Sequence, residues 1–195
     1  MKKFLLLVLI MLTAIATAEA ATPVRIVRLP IIFQKNSPDL ETCAELEIKI
    51  ARAVHIPMNK TLQLADYVPT ETSAKTLNNI WQKMRSQNKK AKLVDAMRPL
   101  AEKLDADIIV CPVLKSYNQH VTDFFDWNDP ILNSNVRFEM IIYDRRTDEL
   151  IDKKASQFYR GDYSTTGTAA FLAKICLDKV IDDSGLRQRI LAIRN

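Results

Sequence analysis

The chain has 195 residues, with 28 Lys and Arg against 23 Asp and Glu, a net charge of +5. A surplus this small excludes the dense basic footprint of a nucleic-acid binder. With only three glycines the chain has no long flexible linker and no glycine-rich phosphate loop.

The first twenty residues read "MKKFLLLVLIMLTAIATAEA". Lys2 and Lys3 form a positive start, Phe4 to Leu12 an unbroken apolar run, and Ala18-Glu19-Ala20 a small-residue cleavage site. This is the three-part pattern of a secretory signal peptide, and the apolar run is too short to span a membrane. Removing Lys2, Lys3 and Glu19 with the leader takes the net charge from +5 to +4. A lipid-anchored bacterial protein needs cysteine as its first mature residue, and Ala21 stands there. The expected product is a soluble periplasmic or secreted protein, residues 21–195. It is long enough for one domain with its own core and has no membrane span after cleavage.

"VRIVRLPIIF", residues 24–33, predicts a first strand with Pro30 near its end. Ser37 and Pro38 then read as N-cap and first helical residue. Cys43, Leu46, Ile50 and Val54 recur at helical spacing beyond them. Residues 61–68, "TLQLADYV", predict a second strand, and Pro69 and Thr70 open a helix with Ala74, Leu77, Trp81 and Met84 on one face. A further helical pattern runs from Leu93 to Leu104. Pro99 inside it predicts a kink or a fresh helix near Arg98.

"ADIIVCPVLKSY", residues 106–117, is the clearest strand, apolar on both faces, with Pro112 marking a bulge or an edge beyond that point. Residues 118–134 read as a loop. Val136, Phe138, Met140 and Ile142 then alternate with Arg137, Glu139 and Ile141. The turn "DRRTDE" and a strand over 150–159 complete a β-hairpin. Thr166 to Ile181 returns to helix, and Ser184 starts a short terminal helix. The fold class expected is α/β: a single-domain sandwich of a mixed sheet containing the C-terminal hairpin, flanked by helices.

Three stretches carry a family resemblance. "LAEKLDADIIVCPVL", "IIYDRRTDELIDKKASQF" with Asp144 and Thr147, and "AAFLAKICLDKVI" resemble the helix-to-strand step, hairpin and closing helix of the CsgG/TolB N-terminal-domain superfamily of envelope proteins. The resemblance implies an α/β fold and an envelope setting. Two departures stand out. Pro112 occupies a position where the family strand commonly has glycine, and the channel-forming and activator members are lipoproteins.

Cys43, Cys111 and Cys176 sit in apolar surroundings, match no zinc spacing and read as structural thiols, one disulfide being the alternative. His55 ends a helix, and His120 leads into the loop; no catalytic triad is recognisable. In "GDYSTTGTAA", residues 161–170, threonines cap a helix whose amides could otherwise hold an anion. The basic residues Lys83, Arg85, Lys89, Lys90 and Lys92 are a candidate contact for an anionic envelope polymer or ligand, or a solvated helix end. Arg187, Arg189 and Arg194 carry the same choice.

"DFFDWNDP", residues 123–130, places Phe124, Phe125 and Trp127 among Asp123, Asp126 and Asp129. The acids lack the alternation and glycine bend of a calcium loop. The rings either fold over the sheet end or form a partner surface. No metal or cofactor is expected. The function expected is a non-catalytic, partner-binding module of the envelope. The alternatives are a secreted hydrolase using carboxylates of the 118–130 loop and a carrier of an anionic ligand.

Overall fold

The computed structural model describes residues 22–122 and 130–194. The fold is α/β, with a mixed sheet covered by helices on both sides. Its strands are β1 (Val24–Arg28), β2 (Ile32–Phe33), β3 (Ala65–Val68), β4 (Ile108–Thr122), β5 (Ile131–Asp144) and β6 (Glu149–Asp162). The order is β3-β1-β4-β5-β6, with β2 alongside β4 beyond the end of β1. The β1–β3, β1–β4 and β2–β4 pairs are parallel, whereas β4–β5 and β5–β6 are antiparallel. The helices are α1 (Leu40–Val54), α2 (Asn59–Leu62), α3 (Thr70–Gln87), α4 (Met97–Leu104), α5 (Ala169–Asp183) and α6 (Leu186–Leu191).

Strand alternation assigns each side chain to a face. Ile26, Val110, Phe138, Met140 and Ile142 point to one side, where Leu46 and Ile50 of α1, Leu172 and Leu177 of α5, and Leu186 and Ile190 of α6 bury them. This closed face is the larger core. Val27, Ile109, Cys111, Val113, Ile141 and Tyr143 point the other way, against Leu77 of α3 and Met97 and Leu100 of α4. This second face is covered only in part.

Several expectations are corrected. The strand expected over 24–33 breaks into β1 and β2 around Pro30, and Glu47 Oε1 accepts the Ile31 amide at 2.7 Å in the break. The N-cap of α1 is Asp39, not Ser37: its carboxylate accepts from the Thr42 amide at 2.8 Å. Thr61 and Leu62 belong to α2, so β3 begins at Ala65. The fresh helix expected near Arg98 is present: α4 begins at Met97 after a 3₁₀ turn over Leu93–Ala96, and Pro99 falls in its first turn, where its missing N–H leaves no bond unmade. The last long helix begins at Ala169 rather than Thr166, with Thr168 as its N-cap.

Pro112 itself pairs with Met140 inside β4, and the bulge expected beyond it is present. The carbonyls of Val110 and Leu114 accept from Leu29 and Gln34, so this side of β4 looks toward β1 and β2. Pro112 therefore turns its missing donor into the gap between those two strands. The irregularity lies further on, between Leu114 and Ser116. Lys115 is the extra residue, and it reverses the alternation so that Tyr117 aligns with Val136 and Gln119 with Ser134.

The loop expected over 118–134 is mostly strand. β4 continues to Thr122 and β5 begins at Ile131, paired with each other. With β6 they form a long three-stranded arm. Its closed side is tied to α5 where the Gln119 Oε1 accepts the Ala169 amide at 2.7 Å. At the other end of the hairpin, Asp144 is buried and accepts from the Arg146 amide at 3.0 Å and guanidinium at 2.7 Å. That aspartate anchors the turn.

Candidate functional site

α4 is only eight residues long, and it shares the apolar cluster of the open face with Ile109 and Tyr143. Past Ile141 this face of β5 and β6 lines open space, at Glu139, Asp152 and Lys154. The result is a cleft of about 840 Å³, a size typical of small-molecule and segment-binding sites. One wall is the α3 stripe Ala74, Leu77, Trp81 and Arg85, spaced so that all four share a side of the helix. A second wall is Ala91 to Val94. Pro30, Ile32 and Ile141 add apolar floor. Trp81 and Met84 are half-buried, not core, and Trp81 lines this space.

The rest of the floor is ionic. Glu139 is 3% exposed, on the middle of three strands, between lysines of β4 and β6. Lys115 Nζ lies 2.6 Å from its carboxylate on one side and Lys154 Nζ 3.1 Å on the other. Lys154 also reaches Asp152 at 2.8 Å. Hydrogen bonds to Asp152 and then Glu139 raise the Lys154 ammonium above its ordinary pKa. Two ammoniums face two carboxylates, so the floor balances itself. Burying a carboxylate this deep without such partners would be strongly destabilising.

The rim does not balance. Arg85 lies 5.7 Å over the Trp81 ring and donates to the Lys89 carbonyl at 2.7 Å. Lys92 stands beside it at the same mouth. Among the described residues neither cation has a carboxylate partner. The cleft is thus apolar along α3 and positive at one end.

Of the five basic residues singled out in sequence, Arg85 and Lys92 line the cleft; Lys83, Lys89 and Lys90 are exposed and do not. Phe124, Phe125, Trp127 and the acids Asp123, Asp126 and Asp129 lie outside the described residues, so packing, interface, calcium and hydrolase readings of that stretch are all untouched. His55 is the C-cap of α1 and His120 is exposed on the arm. The amides at the start of α5 are already taken, Thr166 by Ser164, Ala169 by Gln119 and Phe171 by Thr168, which removes the anion reading there. Arg187 donates to the Arg52 and His55 carbonyls, and Arg189 pairs with Glu149. The Arg194 side chain lies outside the described ones. All three cysteines are free. Cys111 and Cys176 are buried, but Cys43 is half-exposed, against expectation, because its turn of α1 lies near the helix start and is only partly covered. Burial pushes the Cys176 thiol up to about 11 and Cys111 further in the same direction. Among the described residues no group of three His, Cys, Asp or Glu side chains is arranged to hold a metal ion.

Sequence reasoning missed Lys115, Glu139, Asp152 and Lys154. The available signal was Glu139 itself, a carboxylate between Phe138 and Met140 in a strand that is otherwise apolar there.

No family model matches the chain, and no curated protein matches it. Solved structures of similar shape exist. One is the hypothetical protein CT253 from Chlamydia trachomatis, 13% identical, covering 87% of this chain and 99% of that one, with a TM-score of 0.46. Another is the lipoprotein GNA1162 from Neisseria meningitidis, 16% identical, covering 82% and 99%, with a TM-score of 0.38. A third is the C-terminal domain of LpoB from Salmonella enterica, 10% identical, covering 77% and 92%, with a TM-score of 0.31. None of the three is named as a CsgG or TolB protein. Likeness this distant carries no argument about activity or partner, which has to come from the side chains.

Proposed function

We propose that this chain is an exported, non-catalytic binding module of the cell envelope, and that its cleft receives an acidic segment or ligand with an apolar part. One observation carries the reading: a cleft with apolar walls has a self-neutralised floor and two cations, Arg85 and Lys92, left over at its mouth. An occupant that supplies negative charge there and apolar surface along Leu77 and Trp81 satisfies both. The signal-peptide pattern of residues 1–20 supplies the export half of the proposal.

A photo-crosslinking residue at Asn78, on the cleft wall, tests the binding half. The control position is Glu102, exposed on α4. Irradiation in native envelope is expected to give adducts at position 78 and not at 102; equal yields at both sites would sink the cleft reading. Fractionation tests the export half, with the protein expected in the soluble exported fraction and Ala21 as its first residue. Retained Met1, or recovery in the detergent phase, overturns a soluble exported product.

A further inference from the structure

We infer that the cleft of one copy receives the Asp123–Asp129 segment of a second copy, so that molecules join head to tail. This rests on the cleft being the binding site, and it names the occupant. The segment carries three aspartates, two phenylalanines and a tryptophan, with no basic residue. The cleft presents the complement: apolar walls at Leu77, Trp81, Ile32 and Ile141, and uncompensated positive charge at Arg85 and Lys92. Aromatic side chains entering an apolar cleft, with acids meeting cations at its rim, combine anchor burial with charge complementarity.

The arm decides whose segment it is. With Pro130, the Asp123–Asp129 stretch joins Thr122 to Ile131, which pair at the far end of the β4–β5 ladder. Glu139, on the cleft floor, lies eight residues along β5 from Ile131, or about 27 Å at ~3.4 Å per residue. The pairing between them is continuous on β5, so the arm holds its own tip away from its own cleft. An eight-residue connection tied at both ends can extend at most about 16 Å past them, less than the distance back to the cleft floor. The donor is therefore another molecule. Donor and acceptor surfaces differ, so the contact is heterologous, and each added copy leaves one of each free.

The test is complementation of the exported protein, residues 21–195, followed by sedimentation velocity. The wild type is expected to grow in mass with concentration. Arg85→Glu/Lys92→Glu removes the acceptor, and Phe125→Ala/Trp127→Ala removes the donor. Each variant alone is expected to stay monomeric, and an equimolar mixture to form dimers and nothing larger, because each pair retains one working contact. A mixture that remains monomeric, or either variant associating as the wild type does, overturns the inference. A dye-labelled peptide of residues 121–131 guards against misfolded variants. Its polarisation should rise with the Phe125→Ala/Trp127→Ala protein and not with the Arg85→Glu/Lys92→Glu protein. If the peptide fails to bind while the Asn78 crosslinker still captures an envelope component, head-to-tail joining is wrong and the cleft reading survives. If both fail, both are wrong.

Discussion

The two faces of the sheet are built from the same strands and finished differently. On the closed face α1, α5 and α6 bury Phe138, Met140 and Ile142 completely. On the open face cover stops at Ile141, and the next inward residue, Glu139, is an acid held by lysines from both neighbouring strands. Where a helix lies overhead, the strand residue is apolar and exchanges no charge. Where the helix ends, the buried position is polar and its charge is cancelled laterally.

Truncation at the core should expose the difference most strongly. Phe138→Ala on the closed face is expected to lower stability by about 3–5 kcal/mol in urea denaturation, and Ile109→Ala under α4 by about 2–5 kcal/mol. A loss below ~1 kcal/mol at Ile109 would mean that α4 does not cover it. Gly167→Ala probes the seam between arm and α5. An added Cβ would stand 2.4 Å from the Tyr159 ring, whose hydroxyl is held by the Asp162 carbonyl. A loss of about 1–3 kcal/mol is expected, and a neutral result would show that the ring swings away freely.

Glu139→Gln leaves Lys115 and Lys154 facing an amide, and about 1–2 kcal/mol should be lost. Lys154→Ala removes a half-exposed partner and should change stability by less than ~1 kcal/mol. If the two losses match, the floor is a surface ion pair and not a buried one. Smallest of all, Arg85→Glu/Lys92→Glu should leave stability within about 0.5 kcal/mol of wild type while abolishing binding.

pH separates the faces by another route. Burial raises Cys176 on the closed face from 9.0 to about 11, so its neutral form is favoured in the folded state. Above 9.0 the unfolded chain loses this proton and the folded chain keeps it. Stability is therefore fully present below that pH and falls as pH rises toward and through about 11. Cys176→Ala should flatten part of the alkaline decline. Thiol labelling at neutral pH should reach Cys43 first, with Cys111 and Cys176 protected.

Much of this architecture was legible in the sequence. The apolar run of β4, the alternation of β5 and the stripe Leu46, Ile50 and Val54 each specify an element and its buried side. The distal arm was not legible, because its ladder is lined by Asn118, Gln119, Asn133 and Ser134, whose polarity hides the alternation. Main-chain pairing and the cover from α5 hold those residues in strand regardless. The site was half legible. Arg85 and Lys92 stood out as basic, but nothing local separates them from Lys83 or Lys90. Lys115, Glu139 and Lys154 meet only through cross-strand register, and that register depends on a one-residue bulge with no glycine to announce it.

Arg187 has a consequence for the order in which the chain can be completed. Its guanidinium closes the C-terminal end of α1, donating to the carbonyls of Arg52 and, 132 residues back, His55. During synthesis α1 emerges early, and its last carbonyls wait for almost the whole polypeptide. β1 likewise waits for β4, its parallel neighbour. Non-local closure of this kind delays the native state until the end of translation. A chain of this connectivity reaches its native state only once its last helix has arrived.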